Sequence, residues 1–241
     1  MIFYLGTHHE SWLSRVDVPL FISHRRLRKR KGLPSAMGRW ALDSGAFSEL
    51  ASYGEWTVSP QQYASDVARY RAEIGNLDFA AIQDWMCEPH MLKRTGRSIP
   101  EHQELTVQSF ENLLALQPTL PWLPVLQGFA PDDYLRHLDL YDQRGLRKDH
   151  FGVGSICKRQ GTAEIGKLLE RLAVEVPKIH GFGVKTSGLR LYGKHLHSAD
   201  SLAWSFNARR RPVRLPGHTH INCANCLEYA LRWREQINED C

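Results

Sequence analysis

The sequence predicts an α/β fold, a (β/α)8 TIM barrel carrying a small C-terminal appendage. Eight short apolar runs that read as strands alternate with helix-like segments through most of the chain. The length of 241 residues is close to the roughly 250 typical of such barrels. No glycine-rich nucleotide fingerprint follows the first strand, which counts against a doubly wound open sheet.

Each element has a local reason. Residues 2–6 are apolar and stop at Gly6-Thr7-His8, with no basic segment before them. This reads as a first strand rather than a signal peptide, and the cytoplasm is the expected location. Residues 18–23 and 39–43 are the second and third strands. Ser59 as N-cap and Pro60 at the first helical position open a helix over 61–74. The fourth strand covers 77–84. Val107, Phe110, Leu113 and Leu114 then give helical spacing within 100–116. The fifth strand covers 122–127, followed by a helix over 131–144 that Gly145 stops. The sixth strand is 151–155, with a helix over 162–176. The seventh is 178–185, with a short helix over 189–196, and the eighth is 198–204. The barrel domain thus spans 1–211. Residues 212–241 break the alternation and are expected to pack on it.

A hydrophobic fraction of 42% and a charged fraction of 24% are those of a soluble globular protein. No apolar run approaches the roughly 20 residues a membrane span needs. The five cysteines are odd in number and irregularly spaced, which favours metal binding or free thiols over a disulfide framework. The net charge of +5 understates a local asymmetry: residues 24–31 hold six Lys/Arg, including Arg25, Arg26 and Arg28. A second basic run contains Arg209, Arg210, Arg211 and Arg214. Each lies near a candidate catalytic segment, and together they favour phosphate contacts over a merely solvated surface.

In such a barrel the active site lies at the C-terminal strand ends. Those ends read Asp43-Ser44-Gly45, Asp84-Trp85, Gln127-Gly128, Gly154-Ser155, Gly183-Val184-Lys185 and the Asp200 segment. A carboxylate beside apolar residues is costly to desolvate unless it has a partner or a task. Taken singly, Asp84 reads as a turn cap and Gln127 as a loop brace sooner than as binding groups. As a set they suit a purine-like base. Asp84 would accept from its ring and exocyclic N–H groups, and Gln127 with the Gly154-Ser155 backbone would meet its carbonyl edge. Phe47 would stack on it.

The tail holds His218, His220, Cys223 and Cys226 within nine residues, a spacing that suits tetrahedral, structural zinc. Cys241, Cys157 or another histidine are alternatives for one of the two histidines, and a surface loop or a redox C-x-x-C are the competing readings. His8-His9 raises a different metal site with His24 and Asp200, but the middle strands add no ligand.

These residues resemble the tRNA-guanine transglycosylases. Asp43-Ser44-Gly45-Ala46-Phe47 is similar to their D-S-G-G-F/Y segment, and Val125-Leu126-Gln127-Gly128 to their V-Q-G strand end. Phe151-Gly152-Val153-Gly154-Ser155 resembles their glycine-rich base-binding strand, and His180-Gly181-Phe182-Gly183-Val184 their M-G-V-G. Asp200 with Asn207-Ala208-Arg209 resembles their nucleophile segment. The order matches across most of the chain. The resemblance implies a zinc-bearing barrel that exchanges guanine for a 7-deazaguanine, such as 7-cyano-7-deazaguanine. In it Asp200 is the nucleophile, Asp43 the general base, and Asp84, Gln127 and Gly154 bind the base, with Ser44, Gly45, Ser155 and Lys185 around them.

There are departures. The chain is shorter than the tRNA enzymes, Trp204-Ser205-Phe206 replaces their Pro-Thr-Arg, and the zinc motif differs. Asp84 is followed by Trp85-Met86-Cys87-Glu88. In these respects the chain resembles the compact, DpdA-like branch of phages and bacteria that modifies DNA. DNA is therefore the expected partner, with tRNA as the alternative and a homodimer or partner protein left open. A glycosylase that lets water resolve the ester, and a zinc-stabilised nucleic-acid-binding barrel without catalysis, are the competing functions.

Overall fold

A computed structural model describes residues 1–240. It is an α/β structure built on one all-parallel sheet of nine strand segments. These are β1 (Ile2–Thr7), β2 (Leu20–Ser23), β3 (Trp40–Asp43), β4 (Leu77–Ala81), β5 (Trp122–Leu123), β6 (Val125–Leu126), β7 (His150–Val153), β8 (Lys178–Gly181) and β9 (Ser198–Ser201). The sheet order is β5-β4-β3-β2-β1-β9-β8-β7-β6, so its two edges are the two halves of one run.

That run nearly closes the sheet into a barrel. Pro121 and Leu123 carbonyls accept from Ala80 and Ile82 on one side, at 2.9 and 3.2 Å. Pro124 and Leu126 carbonyls accept from Gly152 and Gly154 on the other, at 2.8 and 3.0 Å. The single fifth strand expected over 122–127 is therefore corrected to two segments. Pro124 has no N–H to offer a ladder and interrupts it.

Side chains alternate along the strands. Tyr4, Phe21, Ala41, Phe79 and Leu123 cluster inside the barrel. Phe3, Leu5, Leu20, Ile22, Trp40 and Leu42 belong to the larger core beneath the helices.

The helices are α1 (His24–Leu27), α2 (Ala46–Tyr53), α3 (Pro60–Glu73), α4 (Pro89–Thr95), α5 (Ile99–Leu116), α6 (Pro131–Gln143), α7 (Ala163–Glu175), α8 (Thr186–Tyr192), α9 (Ala203–Arg210) and α10 (Leu227–Asp240). The Ser59 cap forms as expected, with Gln62 N–H donating to its hydroxyl at 3.1 Å. None of these helices is long and apolar enough to cross a membrane.

Four strand ends differ from expectation: the runs over 77–84 and 151–155 stop at Ala81 and Val153. The runs over 178–185 and 198–204 stop at Gly181 and Ser201, because Phe182–Lys185 turns into a loop and Ala203 already begins α9. The tail also contains more order than an irregular appendage. Ala230 and Ile237 of α10 enter the main core, and Trp233 meets Phe3 with ring centroids 5.8 Å apart.

Candidate active site

The C-terminal strand ends surround a cavity of about 290 Å3. Asp43, Phe47, Asp84, Gln127, Gly154, Ser155 and Asp200 all line it. Seven expected site residues therefore meet, although they come from five different strand ends. Ser44 lies just behind, donating to Asp84 at 3.3 Å. Lys185 stays exposed outside the cavity, its backbone N–H held by Gln160.

Asp43 and Asp200 face the cavity from β3 and β9. Gly45 turns the chain at φ 88°, which glycine adopts readily, and its N–H donates to Asp43 Oδ1 at 3.0 Å. The β2–β3 register sets Ser23 beside Asp43, and its hydroxyl bonds the same carboxylate. Burial pushes the Asp43 carboxyl above the usual carboxylate range. The Gly45 and Ser23 hydrogen bonds oppose that rise, nearby Asp200 adds to it, and Arg25 lowers it. Asp200 Oδ1 accepts from Gly183 N–H at 3.0 Å and lies 3.4 Å from His180 Nε2. His180 is itself buried, and its Nδ1 lies 2.9 Å from Ser198 Oγ.

The opposite wall is a hydrogen-bonded chain. Gln127 Nε2 donates to Asp84 Oδ2, and Ser155 Oγ lies 2.6 Å from Gln127 Oε1 and 2.8 Å from Glu88 Oε2. Cys87 N–H donates to the same hydroxyl at 2.9 Å. One serine proton cannot serve both acceptors. Turning the Gln127 amide over sends its N–H to Ser155, frees the serine proton for Glu88, and needs a proton on Asp84. Burial pushes Asp84 up to about 7, Gln127 and Ser44 oppose this, and Asp43 adds to it. Asp84 thus changes charge near neutrality.

Two backbone features hold this wall. A Cβ at Gly154 would sit 2.2 Å from Gln127 Nε2, so only glycine lets the amide cross there. Gly154 N–H is already given to Leu126, and its carbonyl accepts from Tyr134. Ser155 holds φ at 55°, a conformation that non-glycine residues avoid and that directs its hydroxyl into the network. Gln127 is fixed from behind, where its carbonyl accepts from Gln103 and its N–H donates to His137 Nδ1.

Four residues were given no site role in the sequence: Ser23 and Phe182, which line the cavity, and Glu88 and His180, which lie behind its lining. Glu88 caps α4 without bonding its own helix, which leaves the carboxylate free to turn inward. A glutamate just before a proline was its one visible signal.

The basic runs divide in use. Arg25 lies over Gly45 and acts electrostatically on Asp43. Arg26 and Arg209 both act on His8, whose side chain lines the cavity and whose pKa falls through burial first and these charges second. Arg28 instead turns to the buried Glu49 at 3.3 Å. Arg210 stands 4.6 Å above the Phe206 ring. The alternative metal site at His8-His9 does not assemble, since His24 is buried against Asp66 at 2.7 Å.

Among the described residues, the one cluster of three metal-capable groups is His218, His220 and Cys226, with ligand atoms within 4.8 Å of one another. Cys223 Sγ lies 3.1 Å from His220 Nε2, which adds a fourth donor. His218 presents Nε2 to Glu228 at 3.0 Å and Nδ1 to Cys226 at 3.8 Å. A carboxylate on the far nitrogen orients a metal-binding imidazole. Leu215 N–H also points at Cys223 Sγ, as it would at a thiolate. The donor set fits a metal ion. Cys157 lines the cavity at the strand ends and is not in the cluster, and Cys241 lies outside the described residues.

The cluster also braces α9. Ala208 packs with Cys223, Ala224 and Cys226, and Ser205 Oγ donates to Ala224 O at 2.6 Å.

A family model described as DpdA, DeoxyPurine in DNA protein A, matches residues 1–241, the whole chain. Curated proteins include no match to this chain.

Proposed function

The chain belongs to the DpdA family of tRNA-guanine transglycosylase-like DNA modification enzymes, and from that membership we propose a specific reaction: exchange of guanine in DNA for a 7-deazaguanine through an Asp200–sugar ester. The observation that supports it best is the shared cavity, which sets two carboxylates against a base-reading wall. The scaffold is read as a (β/α)8 TIM barrel over residues 1–211, with 212–241 packed on it as a zinc-binding segment.

In the first half-reaction, a carboxylate oxygen of Asp200 attacks C1′ of the target deoxyguanosine. The C1′–N9 bond breaks, its electron pair leaves with guanine, and Asp43 supplies a proton to the departing base. In the second, Asp43 takes the ring N–H proton of the incoming 7-deazaguanine. That nitrogen attacks C1′ and releases Asp200. The logic parallels double displacement by paired carboxylates in retaining glycosidases. The raised Asp43 carboxyl suits a group that must both give and take a proton.

Ionised Asp84 accepts from the ring and exocyclic N–H groups of the base, while Gln127 and Ser155 lie at its carbonyl edge. Phe47, half exposed at the mouth, offers a stacking face. The target nucleotide must leave the duplex stack to enter. Residues His218, His220, Cys223 and Cys226 would hold a structural zinc that supplies fold rather than chemistry.

The decisive test is incubation with guanine-labelled DNA and candidate deazaguanines, followed by nucleoside mass analysis. Label release with a deazanucleoside gained is the expected result. Abasic sites instead would mark a glycosylase, and release from tRNA but not DNA would move the substrate to RNA.

Two further outcomes are expected. Asp84 keeps its proton to about 7 when folded, against roughly 4 in an unfolded chain. Its contribution to stability therefore falls as pH rises from about 4 to 7, because only the native state still binds that proton. Guanine needs the ionised form, so its affinity should rise as pH passes 7. In Asp84→Asn that rise should vanish, as calorimetric titration would show. For the rim, neutralising Arg25 and Arg26 should flatten the salt slope of DNA binding by about one unit each. Arg28→Ala should leave the slope alone and lower thermal stability, because it strands buried Glu49.

A further inference from the structure

Many arginines of this protein are ion-paired. Arg39, Arg136, Arg144, Arg147, Arg159, Arg171 and Arg232 each meet an acidic side chain. Arg210 and Arg211, like Arg209 and Arg214 of the same basic run, meet no carboxylate among the described residues, and Arg210 instead lies over the Phe206 ring at 4.6 Å. Both line a second surface cavity of about 430 Å3 together with Phe206, Asn207 and Val213. Phe206 is 51% exposed, an unusual position for a phenylalanine on a helix whose other face is buried through Ala203, Trp204, Ser205 and Ala208.

This second cavity lies farther along the helix whose start borders the first. Leu202 lines the catalytic cavity and caps α9. Phe206 and Arg210 follow at four-residue intervals, each step advancing about 6 Å along the axis. That is close to the spacing between successive nucleotides of an extended strand. A half-exposed ring with one guanidinium over it and another nearby, neither neutralised by a carboxylate, is the chemistry that holds a base by stacking and its phosphate by charge. Apolar protein partners would leave Arg210 and Arg211 desolvated without a counter-charge.

We propose that Phe206, Arg210 and Arg211 form a second nucleotide subsite, which takes the base and phosphate of the residue adjoining the target guanine in the same strand. It rests on the reading of the first cavity as the place a flipped DNA base enters. The structure assigns Phe206 to the base and Arg210 and Arg211 to the phosphate. The bound strand is thus unstacked at the target and again at its neighbour, which favours single-stranded or locally opened DNA over an intact duplex.

The test is a binding cycle by fluorescence anisotropy. Wild-type protein, Phe206→Ala and Phe206→Trp are titrated with a labelled single-stranded oligonucleotide carrying one guanine. The same oligonucleotide is also made with an abasic residue immediately 5′ or 3′ of that guanine. For wild-type protein, removing the neighbouring base on one side should weaken binding about tenfold. Phe206→Ala should show a similar loss on the intact strand and no further loss on that abasic strand, and Phe206→Trp should restore wild-type behaviour. Thermal melts matching wild type would exclude misfolding, as an exposed ring predicts. If the two losses multiply at both positions, or Phe206→Ala binds like wild type, the subsite is wrong. Guanine exchange on the same strands is scored separately. Its absence would overturn the reaction proposed for the first cavity, while the coupling at Phe206 is read from binding alone.

Discussion

Replacing Asp200 by asparagine is expected to cut base exchange by about 10^3-fold or more, the scale on which a covalent nucleophile is lost. Asparagine keeps the shape and can still accept from Gly183 N–H, so the β9 end should stay in place. What disappears is the charge that attacks C1′. Denaturing gels should show a DNA–protein adduct with wild-type protein and none with Asp200→Asn, while DNA binding persists. Asp43→Asn should behave differently: both half-reactions slow, because the departing guanine loses its proton donor and the incoming base its acceptor, but Asp200 can still attack and an adduct forms slowly. An adduct that survives in Asp200→Asn but fails in Asp43→Asn would reverse the two roles.

The second large effect is expected at the His/Cys cluster. Residues 212–226 are mostly loop, and the apolar cluster beneath them consists of small side chains around Ala208, Cys223, Ala224 and Cys226. Ordering a loop residue costs about 1–2 kcal/mol, and so little apolar surface cannot offset that over the whole segment. A four-ligand metal site would supply a large share of the offset, since structural zinc binding contributes about 10–16 kcal/mol. Cys226→Ser, or exhaustive chelation, should therefore remove one metal equivalent by elemental analysis. It should also lower the melting temperature on the order of 10 °C. Because the cluster props α9 through Ala208 and Ser205, DNA affinity should fall with it. Purified protein with no metal and an unchanged melt after Cys226→Ser would remove the metal site.

Much of the frame was legible because the signals are local. The caps at Ser59-Pro60 and the glycine stop at Gly145 act within a few residues, and the helices beside them appear where expected. Polar groups at the ends of apolar runs located Asp43, Asp84, Gln127 and Asp200 for the same reason. The short helices α2 and α4 were not legible. Each lasts about two turns, sits between glycines or behind a proline, and carries too few apolar positions to show a period. Arg28 shows the opposite failure. Within a basic run it looks like its neighbours, and only the fold reveals that it is taken by Glu49.

The two halves of the fifth run make the same point at the level of topology. Their alternate carbonyls serve β4 and β7 in turn, a pairing between residues far apart in the chain that no local pattern encodes. Sequence by itself determined the order of strands and helices, the polar residues at strand ends and the clustered metal donors, since these depend on periodicity and spacing. Only the tertiary structure decided that Asp43, Asp84 and Asp200 share one cavity, that Glu88 and His180 stand behind them, and that Phe206 is half exposed with Arg210 over its ring. The curling of the sheet brings those residues together, and with them the desolvation and mutual repulsion that set the charges of Asp43 and Asp84.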